Sequence, residues 1–131
     1  MISASLTESV MSGIFVSDTS PYRGYGFSVS LHTDVEGSGH TEVVSPSYAR
    51  ALVGHGPGYW STGGRSAYNL NDIVFPHTKT DEVWSGIRSV CLWSAETGQC
   101  LWSIPLDTGP YTVGNGDYMV IPEHGMEMGI V

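Results

Sequence analysis

Trp84-Ser-Gly-Ile-Arg-Ser-Val-Cys-Leu-Trp-Ser-Ala-Glu-Thr-Gly-Gln-Cys-Leu-Trp-Ser-Ile-Pro105 is the stretch whose reading decides the fold. Val90, Leu92 and Ser94 alternate with Cys91 and Trp93, which is the period of a strand. Ala-Glu-Thr-Gly then supplies a reversal, with Gly98 able to take positive φ, and Leu101 and Ile104 resume the pattern. The stretch reads as two strands folded back on a tight turn. Its three tryptophans supply large burial area, and no side chain in it has the makings of a nucleophile with a base beside it.

Outward from this hairpin, the same signals recur. Phe27, Val29 and Leu31 alternate with Ser28, Ser30 and His32, the signature of a half-buried strand. Thr41 to Val44 and Tyr48 to Val53 read as strand segments on either side of Pro46, which has no amide to donate and marks an edge or bend. Ala67 to Leu70 and Ile73 to Phe75 read as a strand pair stopped by Pro76. Tyr111 to Val113, Tyr118 to Ile121 and Met126 to Val131 close the sheet, with Gly114-Asn-Gly-Asp117 as a turn. The exception is the N-terminus. Ser5-Leu-Thr-Glu8 is a capping box, and Leu6, Val10, Met11, Ile14 and Phe15 share one helical face, so a short helix is expected over Leu6–Phe15.

These elements predict an all-β fold, a β-sandwich or jelly-roll-like barrel of seven or eight short strands with one short N-terminal helix, as a single β domain over residues 1–131. The length suffices for one core. Gly and Pro make up 24 of 131 residues while charged residues are only 14 %, a balance that favours short strands joined by turns. The expected core comprises Leu6, Val10, Ile14 and Phe15 with Phe27, Val29, Leu31, Phe75, Ile87, Val90, Leu92 and Leu101.

Five Lys and Arg against thirteen Asp and Glu give a formal net charge of −8, and the basic residues are scattered, so a nucleic-acid partner is not expected. No apolar run is long enough to span a bilayer, and Glu8 with no basic cluster argues against a signal peptide. Cys91 and Cys100 flank the hairpin turn and are read as reduced, buried small hydrophobes.

Two motifs could carry metal chemistry. His32-Thr-Asp34 and His40-Thr-Glu42 each put a histidine two residues from a carboxylate, and Asp34, Glu36 and Glu42 form an acidic group. The histidine–carboxylate spacing is compatible with hard or borderline metal ligation, and the acidic group, which could hold calcium weakly, lacks EF-hand spacing. With no nucleophile elbow and no phosphate loop in Gly54-His-Gly-Pro-Gly58, the residues are read as ordinary loop and strand positions, with no catalytic residue, metal or cofactor expected. His55 to Gly64 is the glycine-richest section and holds Tyr59 and Trp60. It is read as a removable surface loop that presents aromatics to a partner, so His55, Tyr59, Trp60, Met1 and Ile2 are the candidate interface residues.

In order along the chain stand Leu6-Thr-Glu8 with Val10 and Phe15, Val29-Ser-Leu-His-Thr33, Thr41-Glu-Val43 and Tyr48-Ala-Arg50. Ile73-Val-Phe75-Pro76, Trp84 with Gly86 and Ile87, Trp93 to Leu101, and Val113 with Gly116-Asp117 complete the series. This series resembles a family of small tailed-bacteriophage virion structural proteins, often labelled phage tail fibre or minor structural protein. The sequence departs from that pattern at Gln99-Cys100 and in the long His55–Gly64 insertion. The resemblance implies a virion location, with the major capsid protein or other virion proteins as the expected partners; the N-terminus points to synthesis in the host cytoplasm, and the sheet edges that so many short strands expose point to a homo-oligomer. On this basis the expected role is a capsid decoration or cement protein. The alternatives are a tail-fibre protein contributing to host binding and a carbohydrate-binding module that stacks Tyr59 and Trp60 on sugar rings.

Overall fold

The computed structural model describes residues 11, 13–16, 26–34, 42–63, 66–96, 98, 100–106 and 110–129. The strands are β1 (Phe27–His32), β2 (Ala51–Val53), β3 (Trp60–Gly63), β4 (Ser66–Asn69), β5 (Ile73–Val74) and β6 (Val83–Ile87), followed by β7 (Ser89–Ser94), β8 (Cys100–Pro105), β9 (Tyr111–Gly114), β10 (Val120–Ile121) and β11 (Glu127–Gly129). The fold is all-β, as the alternation predicts, but the eleven strands among the described residues are more numerous and shorter than expected. Residues 11 and 13–15 are helical, in agreement with the C-terminal part of the expected helix; Leu6 to Val10 lie outside the described residues.

The strands form four antiparallel sheets in the orders β2-β1-β7-β8, β11-β4-β3, β10-β5 and β6-β9. The β7–β8 hairpin is the one read from the sequence, with Val90 opposite Ile104 and Leu92 opposite Trp102. Trp84 does not belong to it. It lies on β6, which pairs with β9, and the register shifts between Trp84 and Ile87, where Gly86 takes φ 74°. A residue without Cβ adopts that conformation at little cost, so the strand can bend there.

Two other pairings correct the sequence reading. Ala67 to Leu70 and Ile73 to Phe75 do not pair with each other: β4 sits between β3 and β11, and β5 pairs with β10. Thr41 to Val44 is not a strand where it is described, since Glu42 makes only an isolated bridge to His32. Short segments of this kind carry too little pattern to select a partner, and packing selects it instead.

Phe27, Val29 and Leu31 on β1 lie opposite Ser94, Leu92 and Val90 of β7, and this apolar face meets Met11, Phe15, Trp60, Phe75, Trp84, Ile87, Met126 and Met128 in the core. Leu92→Ala is a buried deletion here. Ile14 and Leu101, expected in the core, are only partly buried at its margin. The opposite face of β1 was expected in water but is also buried, at Ser28, Ser30 and His32. Trp93, Tyr48 and the Glu42–Arg50 pair lie on it and supply hydrogen bonds that an apolar cover would not. Among the described residues no helix is long and apolar enough to cross a membrane.

Candidate contact surface

The His55–Gly64 segment is part of the fold's framework. Gly56 N–H donates to Phe15 O at 2.9 Å, and Tyr59 and Trp60 N–H both turn back onto Gly56 O. Trp60 opens β3, is 1 % exposed, and donates its indole N–H to Gly54 O at 2.8 Å. Its ring packs on Phe15 and Phe27, with centroids at 4.7 and 5.6 Å. Trp60 is therefore a core residue and cannot serve as an interface aromatic or stack on a sugar. Alternate residues of a strand face opposite ways, so two adjacent aromatics have different fates.

Tyr59 is the surface member, 47 % exposed. Gly54 makes room for it, since a Cβ there would stand 2.5 Å from the ring. His55 is half-buried with its ring 6.4 Å from that of Phe27. Met1 and Ile2 lie outside the described residues. Of the candidate interface residues that the structure describes, Tyr59 is the exposed one.

Beside Tyr59 the structure places two apolar side chains that the sequence did not single out. Leu52 on β2 is 82 % exposed and Val74 on β5 is 52 % exposed. With Val53, Asn71, Asp72 and Ile73 they line a depression of about 280 Å³. Among the described strands β2 is the edge of its sheet, β5 is hydrogen-bonded to β10, and β2 and β5 lie beside each other without pairing. Unpaired edges with apolar side chains are where another chain adds on, unless something blunts them. A second depression, of about 430 Å³, lies between β9 and β10 and is lined by Leu106, Tyr111, Tyr118, Met119 and Pro122. His77 stacks on Tyr118 at 4.2 Å there.

His32 and Glu42, one from each histidine–carboxylate motif, make contacts within the fold. His32 is fully buried, its Nε2 sharing a 2.6 Å hydrogen bond with Ser30 Oγ, which also accepts the Trp93 indole N–H at 2.6 Å. Glu42 accepts Arg50 Nε at 2.9 Å, Arg50 Nη2 at 2.8 Å and Tyr48 O–H at 2.7 Å, while Tyr48 O accepts Leu31 N–H at 3.0 Å. The Arg50 guanidinium in turn lies 4.1 Å from the Trp93 ring centroid. Asp34 is half-buried, and Glu36 and His40 lie outside the described residues. Among the described residues no cluster of three metal-ligating side chains occurs.

Burial acts to raise the Glu42 carboxyl, but hydrogen bonds from Arg50 and Tyr48 outweigh it, and the net shift is downward. Burial, with Glu42 beside it, pushes the Tyr48 phenol well up. Glu82, which no local motif marks, accepts from Ser45 Oγ–H, from Lys79 N–H at 2.8 Å and Ser47 N–H at 2.9 Å, and from the Trp84 indole at 3.1 Å. The bonds from Ser45, Lys79 and Ser47, Ser45 first, hold its carboxyl far below the usual range. In both carboxyls the unfolded chain binds the proton more tightly than the folded one. Their contribution is thus complete above the ordinary value of 4.5 and is lost as pH falls through the folded values. The urea midpoint is expected to drop between about pH 5 and pH 3, and E42Q to flatten that drop. An E42Q profile parallel to wild type would remove Glu42 from the account.

A small chain of short antiparallel strands, with sheet edges and apolar depressions on its surface, is an all-β protein. A family model described as Podophage GP4 fiber I protein gp80 matches residues 2–128, and the chain belongs to that family. Membership makes it a phage virion structural protein, in line with the resemblance read from its motifs. No curated protein matches the chain.

Proposed function

We propose that this chain is a structural subunit of a podophage tail fibre and that the face formed by Leu52, Tyr59 and Val74 is buried against another fibre subunit, a second copy of this chain being the simplest partner. Family membership supports the fibre over the capsid shell, so the decoration role gives way to what was the alternative. One observation carries the contact: an edge-strand leucine 82 % exposed, beside a tyrosine and a valine, around an open depression. Burying those three groups against a partner would be worth roughly 25 cal/mol per Å² of apolar surface, a gain an isolated subunit forgoes. The role requires no catalytic group, metal or cofactor.

Location decides the first half of this reading. Gold-labelled antibody against the chain is expected on the tail fibres of purified particles; label spread over the capsid would restore the decoration role. Light scattering of the purified chain decides the second half. Wild type is expected as a multimer, and Leu52→Asp with Val74→Asp as a folded monomer, because a charge on each side of the contact would have to be desolvated without a partner. A double variant that stays multimeric would place the contact elsewhere.

A further inference from the structure

The two cysteines have different surroundings. Cys91, in the middle of β7, is fully buried, whereas Cys100, the first residue of β8, is exposed. Burial of Cys100 was expected from the sequence, and the structure corrects it. In a regular ladder continuing Cys91↔Ser103, Trp93 would face Leu101, and Cys100 would point to the other side of the sheet. The register instead shifts between Leu92 and Trp93, so that Trp93 faces Cys100 and Leu101 is the extra residue of a bulge. That one-residue shift brings Cys100 to the same sheet face as Cys91, Trp93 and Ser103. Cys91, paired with Ser103, and Cys100, paired with Trp93, are then diagonal neighbours on that face, close enough for the two thiols to interact, while the Cys100 S–H donates to Trp102 O at 3.7 Å.

We propose that Cys91 and Cys100 are a cross-strand dithiol that a small-molecule disulfide converts to an intramolecular disulfide, closing the β7–β8 hairpin covalently. The steps balance as ordinary thiol–disulfide exchange. Cys100, the accessible sulfur, loses its proton and attacks one sulfur of oxidised glutathione. Its S–S bond breaks, one glutathione thiolate leaves, and a mixed disulfide remains on Cys100. Cys91 then gives up its proton and attacks the Cys100 sulfur from within the sheet, expelling the second glutathione. Two cysteine thiols are oxidised and one glutathione disulfide is reduced to two thiols. The second step needs no solvent access to Cys91, because its target is already beside it.

Burial, with Cys100 close by, pushes the Cys91 thiol up to about 12. Resolution is therefore the slow step and speeds up with rising pH, as the thiolate is the attacking form. Cys100 stands at the first position of its strand, so it can shift toward its partner without moving the core residues Val90 and Leu92. Oxidising settings, virion surfaces among them, allow such a bond to persist.

The test is to incubate the reduced full chain with oxidised glutathione at mildly alkaline pH, followed by intact mass and non-reducing peptide mapping. Wild type is expected to lose the mass of two hydrogens, retain no glutathione, and yield a peptide in which Cys91 is joined to Cys100. Its unfolding constant in urea should fall on the order of 10- to 100-fold on oxidation and recover with reductant, as expected for a short closed loop. C91S should stop at one glutathione on Cys100, and C100S should remain unmodified. Should C91S fail to fold, the wild-type map alone decides. A stable glutathione adduct on wild-type Cys100, a Cys100-linked dimer, or two thiols left free would each overturn the proposal.

Discussion

Trp60→Ala is expected to lower the unfolding free energy by about 3–5 kcal/mol, while the neighbouring Tyr59→Ala should lower it by no more than about 1 kcal/mol. Trp60 stands against both Phe15 and Phe27, which are themselves 5.2 Å apart, and Phe15 also meets Trp102 at 5.5 Å. Its removal opens a cavity that rings held by two strands and a helical turn cannot fill, and it leaves Gly54 O without its indole donor. Tyr59 loses only its cover over Gly54. The same reasoning predicts that deleting residues 55–64 unfolds the protein, since the deletion removes Trp60 and with it β3. Urea denaturation of the two point variants checks this. Equal losses would show that the two aromatics share one environment and that the burial of Trp60 is not the cause.

Asn69→Leu should cost roughly 2–4 kcal/mol, because it leaves one buried and two part-buried backbone groups without their partner at once. The Asn69 amide donates to Asn71 O at 2.9 Å and to Pro122 O at 2.8 Å, and its carbonyl accepts Met126 N–H at 2.9 Å. The backbone carbonyl of Asn69 also accepts His124 N–H at 2.7 Å. One 1 %-exposed side chain thus fastens β4 to the turn that leads into β11. Asn69→Asp should be no milder, since it sets a carboxylate against two carbonyl oxygens. Asn71→Ala, which removes an exposed bond to Gly58 O, should stay within about 0.5–1 kcal/mol. The urea midpoints of the three variants measure the ordering. An Asn69→Leu protein as stable as wild type would mean that the turn is held by its flanking strands alone.

The site shows most clearly where reading residues in order stops. Tyr59 and Trp60 look alike in the sequence, both aromatic and both among glycines. Only the pairing of β3 with β4, Trp60 opposite Asn69, sends one inward and leaves the other outside. Leu52 and Val74 gave no signal, because an exposed apolar residue on a strand has the same pattern as a buried one. They became a surface feature when β2 took the edge of its sheet and β5 paired with β10. Glu42 and Arg50 are eight residues apart, and Arg50 and Trp93 are separated by more than half of the remaining chain, so no local spacing could announce that they stack.

The sequence by itself determined what local physics encodes. The alternation of Phe27, Val29 and Leu31, and of Val90 and Leu92, set which face of each long strand is apolar, and the turn at Ala95-Glu96 with Gly98 set the hairpin. The order of its motifs already pointed to the phage virion family. The tertiary structure decided which short strands pair, why the polar face of β1 is covered, and which side of the sheet Cys100 occupies. The reason is one of range. A side chain's period and a turn's backbone geometry are fixed within a few residues, while a strand of two to four residues has too little surface of its own to choose a neighbour. It takes the place where burial of Trp60, Phe75 or Met128 and the hydrogen bonds of Asn69 and Glu82 are satisfied together.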